Sequence, residues 1–181
     1  MEKRSFLARL GFGDPQGAQA SELYGRVVTA ARQPALYTDC GVPDTPEGRY
    51  EMVSLHMVLL LERLKTAGPE GVALSQRVAE AFVTDMDDCL REMGVGDLTV
   101  PKKVKKAAAG LYERAIAYRA GTAGGSLPPD QRRKALVAAL AAAVPRLEDP
   151  QRLAVHVETV EKSLAAASSE DILGGNFSFP A

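Results

Sequence analysis

The longest apolar run of the sequence, Met52 to Leu61, constrains the fold more than any other segment. Its hydrophobic side chains, among them Leu55, Val58 and Leu60, surround most of the circumference of a helix. A helix that is apolar on nearly all sides must be buried on most of them. The run is about half as long as a bilayer-spanning helix needs to be. It therefore predicts the central helix of a helical core, or a helix that offers one face to a partner.

Helix-start and helix-stop signals divide the rest of the chain into further helices. The segment Asp44-Thr45-Pro46-Glu47 predicts the start of the central helix, because a capping side chain precedes a proline in the first turn. This helix is expected to end near Lys65. The other predicted helices span about 21–32, 73–93, 102–120, 128–144 and 149–167, and residues 35–43 are predicted to be a loop. No strand-like alternation of useful length interrupts them, so we expect an all-α, irregular bundle of about six helices.

The chain is expected to have three parts. Residues 1–20 form a flexible basic arm, residues 21–170 a helical domain, and residues 171–181 a short extended tail. The arm carries basic residues around Phe6, Leu7 and Leu10, and it is either a disordered terminus or a peripheral contact to a membrane surface. No secretory signal is visible, and Cys40 and Cys89 do not have the spacing of a metal site. Together these features predict a cytoplasmic protein.

The net charge and the histidines limit the chemistry. A formal net charge of -1 argues against DNA binding, although a local basic patch is still compatible with it. Only His56 and His156 could act as a base in a nucleophilic triad. Because His56 lies within the most apolar helix, we interpret it as a hydrogen-bonded core residue. The sequence therefore predicts no catalytic site, no metal site and no cofactor.

Charged and aromatic residues on two neighbouring helices are candidates for partner binding. Asp85 and Asp88 are one helical turn apart, so they indicate a docking face for basic side chains or an ordinary solvated face. Half of a carboxylate metal site would have the same spacing, but the Glu-x-x-His motifs of such sites are missing. Lysines near the start of the next helix oppose the helix macrodipole, so they indicate either an anionic partner or an ordinary solvated face. The full candidate set is Asp85, Asp88, Lys102, Lys103, Lys106, Tyr112, Arg114 and Tyr118.

Several short segments together resemble the ubiquinol–cytochrome c chaperone family. The segments are Leu55 to Arg63, the aspartates at 85, 87 and 88, Leu90 to Asp97, Val100 to Lys103, Tyr112 to Arg114, and Ala117-Tyr118. The resemblance covers about residues 36–143 and the phenylalanine-rich tail, and the block from Asp85 to Lys106 is its most specific part. Mitochondrial members of this family are cytochrome b assembly factors, and alphaproteobacteria have shorter relatives.

The resemblance implies a helical, non-catalytic chaperone that binds newly made cytochrome b and assists the biogenesis of respiratory complex III. For the mitochondrial members it also implies contact with the ribosome, which the basic residues Lys102, Lys103 and Lys106 would suit here. Two alternatives stay open. One is an RNA- or ribosome-binding helical module, and the other is an enzyme that acts on a small hydrophobic ligand in a core pocket near His56.

Overall fold

All regular secondary structure in the part of the chain that the structure describes is α-helical. The structure is a computed structural model in which residues 15–122 and 125–180 are described. These residues form eight α-helices and no strand, which confirms the predicted all-α fold. The helices are α1 (Pro15–Ala31), α2 (Pro34–Thr38), α3 (Pro46–Lys65), α4 (Gly68–Glu92), α5 (Val100–Arg119), α6 (Pro129–Ala143), α7 (Pro150–Ala166) and α8 (Ser169–Gly174).

Four features differ from the predicted elements, and one is α8 (Ser169–Gly174), which with α2 makes eight helices rather than about six. Helix α1 begins at Pro15 rather than Ser21, and α4 begins at Gly68 rather than near Ala73. Residues 34–38, predicted as a break and loop, form α2, because Pro34 occupies a first-turn position where its missing N–H costs nothing. Most of the predicted basic arm lies outside the described residues, so the three-part organisation stays a prediction.

Helix α3 is the central helix that its apolar run predicts. It packs against α1, α4, α5, α7 and α8. Met52, Leu55 and Leu60 have no exposed surface. The Thr45 hydroxyl accepts a hydrogen bond from the Gly48 backbone N–H at 3.1 Å, so the helix starts within the predicted signal, with Thr45 as its cap. Among the described residues, no helix has the length and apolar character required to cross a membrane.

Helices α4 and α5 form an antiparallel pair beside α3, which we call the α4–α5 hairpin (Gly68–Arg119). The link between the two helices starts at Gly94, whose φ of 76° is in the left-handed region that favours glycine. Near its middle, α5 approaches α3 closely at Gly110. A Cβ atom there would lie 2.7 Å from the Tyr50 hydroxyl oxygen, and that hydroxyl donates to the Ala107 carbonyl at 2.9 Å.

Candidate partner-binding surface

The α4–α5 hairpin carries most of the large apolar side chains that remain exposed. Within the described residues, six such side chains are exposed, and five of them lie on this hairpin. They are Val72, Met93, Leu98, Tyr112 and Ile116. Leu98 in the link is 92% exposed, which is unusual for a leucine with no partner. Tyr112 and Ile116 lie one helical turn apart, and exposed apolar side chains that lie together mark interaction sites in folded proteins, so the hairpin is the candidate site.

A narrow groove runs along the hairpin where α4 and α5 meet the C-terminal half of α3. Its volume is about 240 Å³. Its lining is formed by Val58, Leu61, Glu62, Lys65, Ala79, Phe82, Val83, Ala108, Leu111, Tyr112 and Ala115. Only Glu62 and Lys65 of this set are charged, and their side chains pair at 2.9 Å. The groove is therefore an apolar depression with the ion pair of Glu62 and Lys65 at its edge.

The acidic residues of α4 have internal partners. The Tyr24 hydroxyl of α1 donates to Asp85 Oδ2 at 2.6 Å. Burial, and then the Asp85 carboxylate, raise the pKa of Tyr24, so the hydroxyl keeps its proton. Asp88 is half-buried on the same helix. Since Asp85 ties α4 to α1, its structural contribution is established, and its role in binding a partner stays a prediction.

The basic residues at the start of α5 face solvent. Lys102, Lys103, Lys105 and Lys106 are all exposed. They lie in the first two turns, where the positive end of the helix macrodipole adds to their charge. None of them lines the apolar groove. The structure thus separates a basic patch, Lys102–Lys106, from the groove farther along the same helix.

Two of the predicted partner-binding residues are engaged inside the protein. Arg114 donates from Nε to Glu51 Oε2 at 2.6 Å and from Nη2 to Glu51 Oε1. It also lies over the Tyr50 ring, with Cζ 5.5 Å from the ring centroid. Tyr118 has no exposed surface and belongs to the core. In this conformation Tyr118 offers no surface to a partner, whereas Tyr112 is 69% exposed at the groove.

The two histidines, 100 residues apart in sequence, form a pair in the core. His56 is fully buried, and its Nδ1–H donates to the Met52 carbonyl at 2.8 Å. Its Nε2 therefore accepts, and His156 Nε2–H donates to it across 3.2 Å. Burial lowers the pKa of His56 to about 4 and also lowers that of His156. Both ring nitrogens of His56 are engaged, so neither faces an open pocket.

The cysteines and carboxylates give no sign of reactive chemistry. Cys40 and Cys89 are both unpaired thiols, and burial raises the pKa of each. A raised pKa keeps a thiol protonated and weakly nucleophilic. Within the described residues, no three potential metal ligands of the His, Cys, Asp or Glu type lie together.

Two parts of this surface had no clear signal in the sequence. The groove combines residues of three helices, and the periodicity of α5 places Ala108 and Ala115 on the same core stripe as the buried Leu111 and Tyr118 rather than on a groove wall. Glu51, the internal partner of Arg114, is a carboxylate inside an otherwise apolar helix segment. One sequence signal for the groove was available. Tyr112 and Ile116 are one helical turn apart and form a second apolar strip on α5, beside the stripe that faces the core.

Comparisons with known proteins agree with this architecture. A family model described as "Ubiquinol-cytochrome C chaperone" matches residues 38–179. The crystal structure of the Cbp3 homolog from Brucella abortus matches the chain with a TM-score of 0.77 and 38% sequence identity, over 92% of this chain and 91% of that chain. No curated protein sequence matches the chain significantly. On the strength of the family match and of this structural relative, the chain belongs to the ubiquinol–cytochrome c chaperone family.

Proposed function

We propose that the protein is a non-catalytic assembly chaperone that binds newly made cytochrome b and assists the biogenesis of ubiquinol–cytochrome c reductase, the respiratory complex III. Membership of the chaperone family supports assistance to this complex. The observation that carries the binding role is the concentration of exposed apolar side chains on the α4–α5 hairpin. A chaperone for a membrane protein needs such a surface, because its client exposes apolar segments before it is assembled.

The chemistry of the described residues supports a binding role rather than catalysis. A general base, most often a histidine or a carboxylate, must lie within reach of the proton that it removes from the substrate. His56 has both ring nitrogens engaged internally, and its depressed pKa keeps it neutral at pH 7. The raised pKa values of Cys40 and Cys89 disfavour a thiolate nucleophile. A small-molecule enzyme built around His56 therefore receives no support from this arrangement.

Affinity capture from a respiring cell, combined with deletion of the gene, tests the proposal. The tagged protein is expected to recover cytochrome b before the complex is complete. The deletion strain is expected to lose assembled ubiquinol–cytochrome c reductase while other respiratory complexes remain. Normal levels of the assembled reductase in the deletion strain would refute the proposal.

The basic patch supports a second contact, with the ribosome or another anionic surface. Its four lysines are exposed in the first two turns of α5. We expect the triple change Lys102→Glu, Lys103→Glu and Lys106→Glu to leave folding intact. Because phosphate contacts release counterions, ribosome binding should fall steeply with salt and should be lost in this variant. Equal ribosome cosedimentation of the variant and the unaltered protein would show that the patch has no such role.

A location on the cytoplasmic side, with peripheral contact at the inner membrane, is part of the same proposal. The segment predicted to touch the membrane, around Phe6, Leu7 and Leu10, lies outside the described residues. Flotation of the full chain with vesicles that contain anionic lipid tests this contact directly. A chain that stays at the bottom of the gradient at low salt would contradict it.

A further inference from the structure

We propose that the apolar groove of the α4–α5 hairpin binds one α-helix of the membrane-protein client, with an uncharged apolar stripe of that helix facing the groove. This inference rests on the proposed function and names the part of the client that is recognised. The proposed binding mode is one in which the apolar face of a helix packs into a hydrophobic groove.

The apolar lining of the groove favours an uncharged occupant. Glu62 and Lys65 are the charged side chains of its lining, and they pair with each other at 2.9 Å. Glu62 also accepts from Arg119 Nη2 at 3.2 Å. At this edge the single carboxylate of Glu62 is thus shared by two cations, and the rest of the lining is uncharged. A charged side chain inserted beside Phe82 and Leu111 would be buried without a partner, which is strongly unfavourable.

The size of the groove fits the side chains of one helical face. A volume of about 240 Å³ equals that of roughly eight water molecules. It admits a few aliphatic side chains but not a helix backbone. Ala108 and Ala115 both line it and lie two helical turns apart, about 10 Å along α5. Three anchors at positions i, i+3 or i+4, and i+7 of a bound helix span the same distance.

The walls of the groove allow a helix to approach closely. Ala79 on α4 and the two alanines on α5 leave the backbone of these helices near the surface. Tyr112, which lines the groove, is 69% exposed, and Ile116, one helical turn farther along α5, is 59% exposed. Exposed aromatic and branched side chains next to small ones form the pattern of knobs and holes into which a further helix packs. The client helix would cover both exposed side chains.

Nucleic acid does not suit this groove. The lysines of the basic patch do not line it, and its lining has no arginine. An anionic strand would find the single cation, Lys65, already paired with Glu62. The groove and the basic patch are therefore two surfaces with different ligand chemistry on one hairpin.

Two matched tryptophan variants test the proposal. Ala108→Trp fills the groove, whereas Ala109→Trp adds the same side chain at the next residue, which is exposed and does not line the groove. The probe is a fluorescent synthetic amphipathic helix with a stripe of leucines, and a second peptide replaces the central leucine with lysine. Far-UV circular dichroism establishes that both variants fold. Tyr112→Ala is an independent groove variant, since the loss of a side chain that is 69% exposed leaves the core intact.

The leucine peptide is expected to bind the unaltered protein and Ala109→Trp equally. Binding to Ala108→Trp and to Tyr112→Ala should be at least about tenfold weaker, and the lysine peptide should show a similar loss. Capture of cytochrome b should follow the same order. Peptide binding that is unchanged in Ala108→Trp would overturn the proposal, and so would equal capture of cytochrome b by both tryptophan variants.

Other occupants and the proposed function are distinguished by the same measurements. A dimer of the unaltered protein that Ala108→Trp dissociates would show that a second copy fills the groove, and would overturn the proposal. If deletion of residues 1–14 raises the affinity for the peptide, the chain's own N-terminal segment occupies the groove, and the proposal is again overturned. Groove-dependent peptide binding without capture of cytochrome b would instead refute the proposed function and retain the groove as a helix-binding site.

Discussion

Replacing Arg114 with methionine should destabilise the protein, because the change leaves a buried carboxylate without its partner. Glu51 lies on the central helix α3, and its side chain is 5% exposed, against 22% for that of Arg114. The guanidinium donates to both carboxylate oxygens of Glu51. It also donates to the Gly110 carbonyl at 3.1 Å. Methionine keeps much of the apolar stem of arginine and removes only the charged donors.

The size of the loss follows from the exposure of the two partners. Breaking a fully buried ion pair by removing one partner costs about 3–5 kcal/mol. Because Arg114 is partly exposed, water can reach the carboxylate in the variant, so we expect the lower end of that range, about 3 kcal/mol. For a chain of this length, each kcal/mol lowers the melting temperature by roughly 2–4 °C. The melting temperature of Arg114→Met should therefore fall by about 6–12 °C.

Thermal and urea unfolding of four proteins form the assay: the unaltered chain, Arg114→Met, Glu51→Met and the double variant. The double variant should be more stable than either single one, because an apolar pair leaves no buried charge. A loss below about 0.5 kcal/mol for Arg114→Met is what a surface residue gives. That result would refute the structural role of the pair and would support the sequence-based assignment of Arg114 to partner binding.

Three further changes probe the core, the histidine pair and the packing of α5. Leu59→Asp should abolish folding, seen as a loss of the helical circular dichroism signal, because the new carboxylate is buried without a partner at a position that is 5% exposed. The pKa of His56 is about 4 in the folded protein, below its ordinary value of 6.5. Between these two pH values the unfolded chain therefore binds more protons than the folded one. The contribution of His56 to the free energy of unfolding is full above pH 6.5 and falls towards pH 4. Urea unfolding of the unaltered chain should lose up to about 3 kcal/mol over this window. A His56→Gln variant should show a flatter dependence, to which His156 contributes and, near pH 4, also Glu62 and Glu158, because the pKa values of all three are lowered in the folded protein. Gly110→Ala should cost about 1–2 kcal/mol because its Cβ would lie 2.7 Å from the Tyr50 hydroxyl, and adding Tyr50→Phe should recover part of the loss in thermal unfolding.

The parts of the fold that depend on local signals were predictable from the sequence. The start of α3 at Pro46 follows from the Thr45 cap, and its burial follows from an apolar run with no polar side. Helix α8 also had a local signal that was overlooked, since the Ser168 hydroxyl accepts from the Asp171 N–H at 3.0 Å as a capping residue does. Helix α2 is only five residues long, too short for periodicity to identify it.

The features that depend on packing were not predictable. The pairing of His56 with His156 joins residues far apart in sequence, and nothing local to either residue indicates the other. The same holds for Glu51 and Arg114, where the sequence analysis interpreted the arginine as an interface anchor. An arginine on a helix looks the same in sequence whether its partner is a neighbouring helix or another protein. Only the tertiary arrangement shows which carboxylate it meets.

The polar contacts of the hairpin explain how its apolar side chains can stay exposed. A helical hairpin with Tyr112, Ile116 and Leu98 on its surface would gain free energy by turning these side chains inward. Tyr24 holds α4 through Asp85, and Glu51 holds α5 through Arg114, so either helix must break a buried polar contact before it can rotate. The cost of breaking such a contact is comparable to the free energy of burying one large apolar side chain, about 1.5–3 kcal/mol. The internal role of Asp85 and Arg114 is thus compatible with the partner-binding role predicted for this hairpin, because these residues keep its apolar surface available to a client.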